Sequence, residues 1–204
     1  SGNKIVFEST IKANRKAQIK LWDNGETKVL TDGSELDTFP EIAGNGSRVA
    51  FRRNYNNVML HDQNGVNKPI AIAGERPGSL TIDRTGNKLL YAAYDEDGDQ
   101  NLYLTDLANS QTTEIGALKG VEEYEGAISG DGSTVVYTGI DFRKEKGYMN
   151  VYVWRNGATE QLTWNDGGRN NKPSVSFDGK AISWYWTNAD NIDDRKVLLW
   201  RKDE

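Results

Sequence analysis

The sequence contains one short pattern five times: a glycine, an aliphatic residue three positions later, and an aromatic residue two positions after that. The five copies are Gly2–Ile5–Phe7, Gly46–Val49–Phe51, Gly86–Leu89–Tyr91, Gly132–Val135–Tyr137 and Gly179–Ile182–Trp184. Their glycines are 44, 40, 46 and 47 residues apart. A repeat of this length indicates an array of equivalent supersecondary units that share one continuous core. Residues 1–204 are therefore predicted to form a single domain.

Within each repeat, turn residues bound four short runs that are rich in β-branched and aromatic residues, as strands are. The third run reads IKLWD, VMLHD, LYLTD, VYVWR and VLLWR in the successive repeats. Both of its faces are apolar, as at Val58 and Leu60 on one face and Met59 on the other. A sheet with one solvated face would alternate apolar and polar residues. The pattern therefore predicts an all-β fold of four-stranded antiparallel blades, each packed between neighbours as in a β-propeller.

The repeat resembles that of the TolB-like, or WD-repeat-like, β-propellers. The segments that match it best are PSVSFDGKAISW at residues 173–184, NLYLTDL at 101–107 and ATEQLT at 158–163. The resemblance covers nearly the whole chain, and it implies a propeller without naming a ligand. Such propellers occur in periplasmic TolB, in peptidases, in oligogalacturonate lyases and in many extracellular bacterial proteins. It thus implies a bacterial, periplasmic or secreted protein, and the absence of cysteine is compatible with that location.

Five blades are predicted, of which the first and the last are incomplete in this chain. The sequence starts at the first turn of a repeat and its last strand ends at Trp200, so each terminal blade has three strands. We expect the five blades to close into a ring, with the first and last blades packed face to face. A closed ring predicts a monomer. The alternative is an open piece of a longer propeller, whose terminal blades would expose apolar faces.

The bulk properties and the missing motifs argue against several functions. A net charge of −5 disfavours binding to a nucleic-acid backbone, and no apolar run is long enough for membrane insertion. The sequence has no cysteine, no G-x-S-x-G motif, no P-loop and no dinucleotide fingerprint. Its one histidine, His61, occupies the third-strand position that Trp22 and Trp154 hold elsewhere, which predicts a packing residue. The chain is therefore predicted not to be an enzyme.

The longest loops are predicted to gather at one edge of the blades, because a meander places the second-to-third and fourth-to-first connections together. Loops on a rigid scaffold commonly carry binding sites. This loop-rich rim is predicted to bind a protein, a peptide or a glycan, through aromatic side chains beside Asn and Arg. The candidate residues are Tyr124, Arg143, Tyr148, Trp164, Arg169 and Asn170. The alternative is a rim that is merely solvated.

A calcium ion is the one cofactor that the sequence suggests. Asp95, Asp97 and Asp99 are spaced like the first half of a calcium loop, in which alternate carboxylates converge on a hard cation. The loop lacks the glutamate expected at its twelfth position, where Asp106 stands, and it lies between strands. The alternative is an ordinary hairpin turn.

Two catalytic alternatives remain open. One is a propeller segment of, or an accessory domain to, an extracellular hydrolase or lyase. The other is a glycoside hydrolase that acts through paired carboxylates. Its candidate acids are Glu35, Asp37, Glu75 and residues 122–125.

Overall fold

The computed structural model of the chain describes residues 3–13, 15–116, 120–143, 148–164 and 167–202. Gly2 of the first repeat lies outside them. The described strands form five antiparallel meanders, which we call blades I to V in chain order. The sequence prediction of a propeller with three complete and two three-stranded blades is confirmed.

The strands follow the predicted runs. Blade I contains β1 (Lys4–Thr10), β2 (Ala17–Asp23) and β3 (Glu26–Val29). Blade II contains β4 (Asp37–Ile42), β5 (Val49–Arg53), β6 (Asn57–His61) and β7 (Asn67–Ile70). Blade III contains β8 (Thr81–Ile82), β9 (Lys88–Tyr94), β10 (Gln100–Asp106) and β11 (Gln111–Ile115). Blade IV contains β12 (Val121–Ile128), β13 (Thr134–Asp141), β14 (Met149–Arg155) and β15 (Ala158–Gln161), and blade V contains β16 (Gly168–Val175), β17 (Ala181–Asn188) and β18 (Arg195–Arg201).

The core consists of apolar layers between successive blades. Blades II and III bury Val58 and Leu60 against Leu89 and Tyr91, and the other neighbouring pairs pack in the same way. Alternate residues of a strand point to opposite faces, so the third strand of a blade contributes side chains to the apolar layers on both sides of that blade. Met59, between Val58 and Leu60, accordingly packs in the layer between blades I and II. The two-sided apolar pattern therefore has the physical cause that the sequence predicted.

The repeated glycines close the tight turn before each second strand. Gly46, Gly86, Gly132 and Gly179 have φ of +70°, +76°, +70° and +71°. An L-residue with a side chain rarely adopts this conformation, whereas glycine adopts it freely. In each turn the glycine N–H donates to the carbonyl three residues earlier, as Gly132 does to Ser129 at 3.0 Å.

A cation from each blade also reaches the glycine turn of the following blade. Side-chain nitrogens of Lys4, Arg48, Lys88 and Arg155 donate to the carbonyl oxygens of Gly46, Gly86, Gly132 and Gly179, at 3.3, 2.5, 3.1 and 3.0 Å. We call this bond the cation clip. The first three cations stand two residues after a repeat glycine. In blade IV that position holds Thr134, and the clip comes from Arg155, which lies directly across from Thr134 on the neighbouring strand.

The expected closure of the ring is wrong for the described chain. Neighbouring blades pack in the order I to V, while the outward faces of blades I and V remain open to solvent. Ile5 is 55% exposed on the first face, and Val197 and Leu199 are 76% and 58% exposed on the last. These faces would be buried if the two terminal blades packed together. The described blades therefore form an open arc, and the monomer expected from a closed ring does not follow.

Candidate functional site

The loop-rich rim forms as the meander topology requires. The connections after the second and the fourth strands of each blade leave from the same edge. At the opposite edge the turns are short and are fixed by side chains. One example is the Asp131 carboxylate, which accepts hydrogen bonds from Ser129 Oγ at 2.6 Å and from the Ser133 N–H at 3.0 Å. These bonds to the charged carboxylate lower the pKa of Asp131.

Two of the predicted rim residues are engaged within the protein. Tyr124 lies on β12 and donates its hydroxyl to Glu122 Oε2 at 2.6 Å. Burial, and then this bond to a carboxylate, raise the pKa of Tyr124, so the phenol is neutral at physiological pH. The Arg143 guanidinium forms a two-bond pair with Asp141, at 2.8 and 2.9 Å. The Tyr124 hydroxyl and two of the Arg143 donors are thus used within the protein.

The other predicted residues differ in exposure. Trp164 is 66% exposed, Arg169 is exposed and Tyr148 is partly buried, so all three can meet a ligand. Asn170 is fully buried. It accepts a hydrogen bond from Trp184 Nε1 at 2.8 Å and donates to the Met149 carbonyl at 3.1 Å. The prediction that Asn170 binds a ligand is therefore corrected: this side chain joins blades IV and V. Parts of the same loops, residues 144–147 and 165–166, lie outside the described residues.

The suggested calcium loop has the geometry of a hairpin turn. The Asp95 carboxylate accepts the backbone N–H groups of Asp97 and Asp99 at 3.0 and 2.9 Å, and it also accepts Asn101 Nδ2 at 2.8 Å. These bonds are the ones by which an aspartate side chain closes a tight turn. In the described part of the chain, no three His, Asp or Glu side chains are grouped so as to hold a metal ion. Calcium binding thus stays a prediction without support from the loop.

Two of the carboxylates considered for glycoside hydrolysis, Asp37 and Glu35, have structural partners. Asp37 is fully buried and pairs with Arg53 through two bonds, at 2.7 and 2.9 Å. Glu35 accepts a hydrogen bond from Asn54 Nδ2 at 2.7 Å. These contacts hold the loop before β4 against the end of β5. They explain why acidic residues stand there without invoking a reaction.

A cavity on the rim lies between blades II and III, where no candidate residue was predicted from the sequence. Its volume is about 470 Å³, within the range of pockets that bind small ligands. We call it the arginine cavity, and its lining residues are Arg52, Tyr55, Asn56, Arg76, Gly78, Tyr94 and Gln100. They come from the β5–β6 hairpin, from the facing ends of β9 and β10, and from the connection between β7 and β8, so neighbouring blades build the site jointly.

Backbone bonds hold the walls of the arginine cavity. Glu75 and Tyr94 exchange two backbone hydrogen bonds at 2.7 and 2.9 Å, and the Gly78 N–H donates to the Ala92 carbonyl at 2.8 Å. The loop that carries Arg76 is thereby tied to β9. A cavity whose walls are already ordered costs less conformational entropy when it binds a ligand.

Residues with positive φ occur in the loops that form the arginine cavity. Asn54, Tyr55 and Arg76 have φ of +50°, +67° and +50°. Asparagine tolerates this region, but an aromatic residue or an arginine rarely adopts it. Such strain occurs preferentially at functional sites. A tyrosine after Asn54, where glycine would suit the turn, could have marked the loop from sequence.

Comparison with known proteins identifies the fold. No protein-family model matches the sequence, and neither does any curated protein. Among solved structures, TolB from Acinetobacter baumannii is similar over 98% of this chain and 50% of its own, with a TM-score of 0.68 and 20% identity. The propeller domain of the Trilobed protease from Pyrococcus furiosus is similar over 100% of this chain and 67% of its own, with a TM-score of 0.71 and 14% identity.

A peptidase gives the same result. The acylaminoacyl peptidase from Pyrococcus horikoshii is similar over 98% of this chain and 36% of its own, with a TM-score of 0.70 and 16% identity. This chain thus spans about a third to two thirds of these proteins. The described residues form no helix long and apolar enough to cross a membrane. Likeness at such low identity is evidence for fold alone, and the fold of this chain is a TolB-like β-propeller.

Proposed function

We propose that the chain is a non-catalytic binding scaffold that presents its loop-rich rim to a protein or a peptide. The observation that carries this proposal is the arginine cavity, a preformed site of about 470 Å³ built jointly by two blades. Tyr55 and Tyr94 line it and are 59% and 41% exposed, so their rings are available to a ligand. Exposed aromatic residues with a polar end are typical anchors at protein interfaces.

The proposed location is the bacterial periplasm or the extracellular space. The support is the resemblance of the sequence repeat to the TolB-like family, which implied the same location, together with the likeness in fold to TolB. A second function is supported by the likeness to propeller domains of peptidases, namely an accessory domain of a larger hydrolase. The two proposed functions predict different parent genes, because an accessory domain requires a hydrolase domain encoded in the same reading frame.

A display experiment tests the binding scaffold. Peptides selected from a random phage library on the immobilised protein should lose at least about tenfold in affinity for a Tyr55→Ala/Tyr94→Ala variant. The matched control is Phe177→Ala, because Phe177 is 58% exposed and lies at the opposite edge of the blades. Thermal melting of each variant reports folding. Peptides that bind the wild type, the double variant and the control equally well would place the binding surface elsewhere and overturn the proposal. Selection of no binders would count against a peptide ligand and favour a glycan array as the next screen.

A further inference from the structure

We propose that the arginine cavity binds a carboxylate of a peptide, either an acidic side chain or a free carboxyl terminus. This inference rests on the proposed function and names the chemical group that the rim recognises. It follows from the charge of the lining, from the way Arg52 is held, and from a contrast with two paired arginines, Arg53 and Arg143.

The lining carries positive charge without compensation from its own members. Arg52 and Arg76 both contribute to it, and the remaining lining residues are uncharged. Within the described chain, neither arginine forms a salt bridge. The protein as a whole has a net charge of −5, so two unpaired guanidinium groups at one cavity run against the overall composition. Such a cavity attracts an anionic group locally.

Arg52 is fixed in place before any ligand arrives. Its guanidinium carbon lies 4.4 Å from the centroid of the Phe39 ring and 5.5 Å from that of Tyr55. Its Nη1 donates to the Pro77 carbonyl at 3.1 Å. Contacts with two rings and one carbonyl restrict the guanidinium, and a fixed planar fork of donors matches the geometry of a carboxylate.

The hydrogen-bonding capacity of Arg52 is not exhausted by the protein. Its Nε is buried and has no hydrogen-bond partner among the described residues. A guanidinium has five N–H donors, and leaving such a donor unpaired is unfavourable. The Nε itself is enclosed by the protein, so an acceptor group that enters the cavity would meet the Nη donors that the Pro77 carbonyl leaves unused.

Two other arginines, Arg53 and Arg143, have a carboxylate partner within the protein. Arg53, the next residue along β5, forms two bonds with Asp37 at 2.7 and 2.9 Å. Arg143 is paired in the same way with Asp141. Each of these arginines has a carboxylate supplied by its own blade. At Arg52 and Arg76 the chain supplies the cations and omits the carboxylate, which is the group that we assign to the ligand.

The test titrates the protein with pentapeptides and follows the side-chain Nε–H signals of arginine by NMR. Two of the peptides are capped at both ends: one has a glutamate between two phenylalanines, and the other has glutamine instead. A third peptide has no acidic side chain but a free carboxyl terminus. We expect the Arg52 and Arg76 signals to move with the glutamate peptide or with the third peptide, and to move much less with the glutamine peptide. Which of the two moves them identifies the source of the carboxylate.

Variants make the result specific. Arg76→Gln should weaken the carboxylate peptide by about tenfold or more, the usual cost of losing a charge-assisted hydrogen bond. The same substitution should leave the glutamine peptide unaffected, so the two changes are not additive. Arg15→Gln is the matched control, because Arg15 is exposed on the same rim in blade I. Arg76 is also exposed, so its substitution should not unfold the protein.

Three results would overturn the inference. In the first, glutamate and glutamine peptides bind equally and Arg76→Gln changes neither; the rim would still be a binding surface, and only its carboxylate specificity would fail. In the second, none of the peptides moves the Arg52 or Arg76 signals. In the third, inorganic phosphate moves these signals as strongly as the carboxylate peptides do, which would mark a general anion site.

Discussion

The repeat glycines are under two separate constraints, and the structure allows these to be measured apart. Gly179 has φ of +71°, and a Cβ added to it would lie 2.5 Å from Thr134 Oγ1 and 3.1 Å from Thr134 Cβ. Gly157 has φ of +86°, but an added Cβ would meet nothing within 4 Å. Gly179 is therefore constrained by both conformation and space, and Gly157 by conformation alone.

Alanine substitutions should separate the two constraints. Gly157→Ala is expected to lower the free energy of unfolding by about 1–2 kcal/mol, the cost of a left-handed conformation for an L-residue. Gly179→Ala should cost clearly more, because its Cβ also meets the β-branched Thr134 of the preceding blade. Urea denaturation of both variants measures the difference. Equal losses would show that the turn relaxes and that blade packing does not restrict it.

At the scale of the strand, the sequence predicted the elements well and their ends less well. In blade IV the match to the repeat extends over ATEQLT at residues 158–163, whereas β15 is Ala158–Gln161. The reason lies at Thr163, whose Oγ1 accepts the Val151 N–H at 2.9 Å. Thr31 does the same for the Ile19 N–H in blade I. A side-chain oxygen thus extends the bonding after the backbone has left the strand, and hydrophobic patterning does not reveal this exchange.

We expect that a lysine at residue 134 can replace Arg155 as the source of the cation clip between blades IV and V. Arg155→Ala should lower the free energy of unfolding by about 1 kcal/mol, because it removes a hydrogen bond from a charged group and a contact with Trp200. Adding Thr134→Lys to that variant should restore part of the loss, since the lysine would stand where Lys88 stands in blade III. Chemical denaturation of the single and double variants decides. If the lysine gives no recovery, the position of the cation matters more than the bond.

At the scale of the molecule, the two open faces of the arc correspond to the two sides of an internal blade interface. Val197 and Leu199 of blade V stand where Val151 and Val153 stand in blade IV. The latter are 0% and 1% exposed, whereas the former are 76% and 58% exposed. The prediction of ring closure was wrong because the sequence reports the number of blades but not the angle between neighbouring blades. That angle sets the number of blades that a closed ring needs.

Exposed apolar faces of this kind promote association. We expect the apparent mass of the 204-residue chain to rise with protein concentration in light scattering. A Val197→Lys/Leu199→Lys variant should reduce this rise and leave the melting temperature nearly unchanged, because neither side chain is buried. The matched control, Val151→Lys/Val153→Lys, should unfold the protein. Association that persists in the first variant would locate the contact on another surface.

The loop-rich rim was predictable because meander topology alone places its loops at one edge. The residues of the proposed arginine cavity were not predicted, because length and charge made other loops the better candidates. The arginine cavity instead lies between two blades, and its guanidinium groups differ from those of Arg53 and Arg143 in having no carboxylate partner among the described residues. Whether a carboxylate is supplied to an arginine by its own blade, as Asp37 is to Arg53, depends on contacts across strands that spacing does not encode. Asn170 failed for the converse reason, since its partners Trp184 and Met149 are distant in sequence and bury it.

The relocated clip of blade IV bears on how such repeats should be compared. Aligned column by column, the fourth repeat has lost its cation, because threonine replaces lysine or arginine at residue 134. Aligned by cross-strand pair, nothing is lost, since Thr134 and Arg155 face each other and the bond to the next turn is kept. Blade V shows the same arrangement, with Ala181 opposite Arg201. Substitutions that look independent along the chain are thus a single exchange between paired positions. A similarity score that counts cross-strand residue pairs would therefore detect a likeness among blades that a score of single alignment columns does not detect.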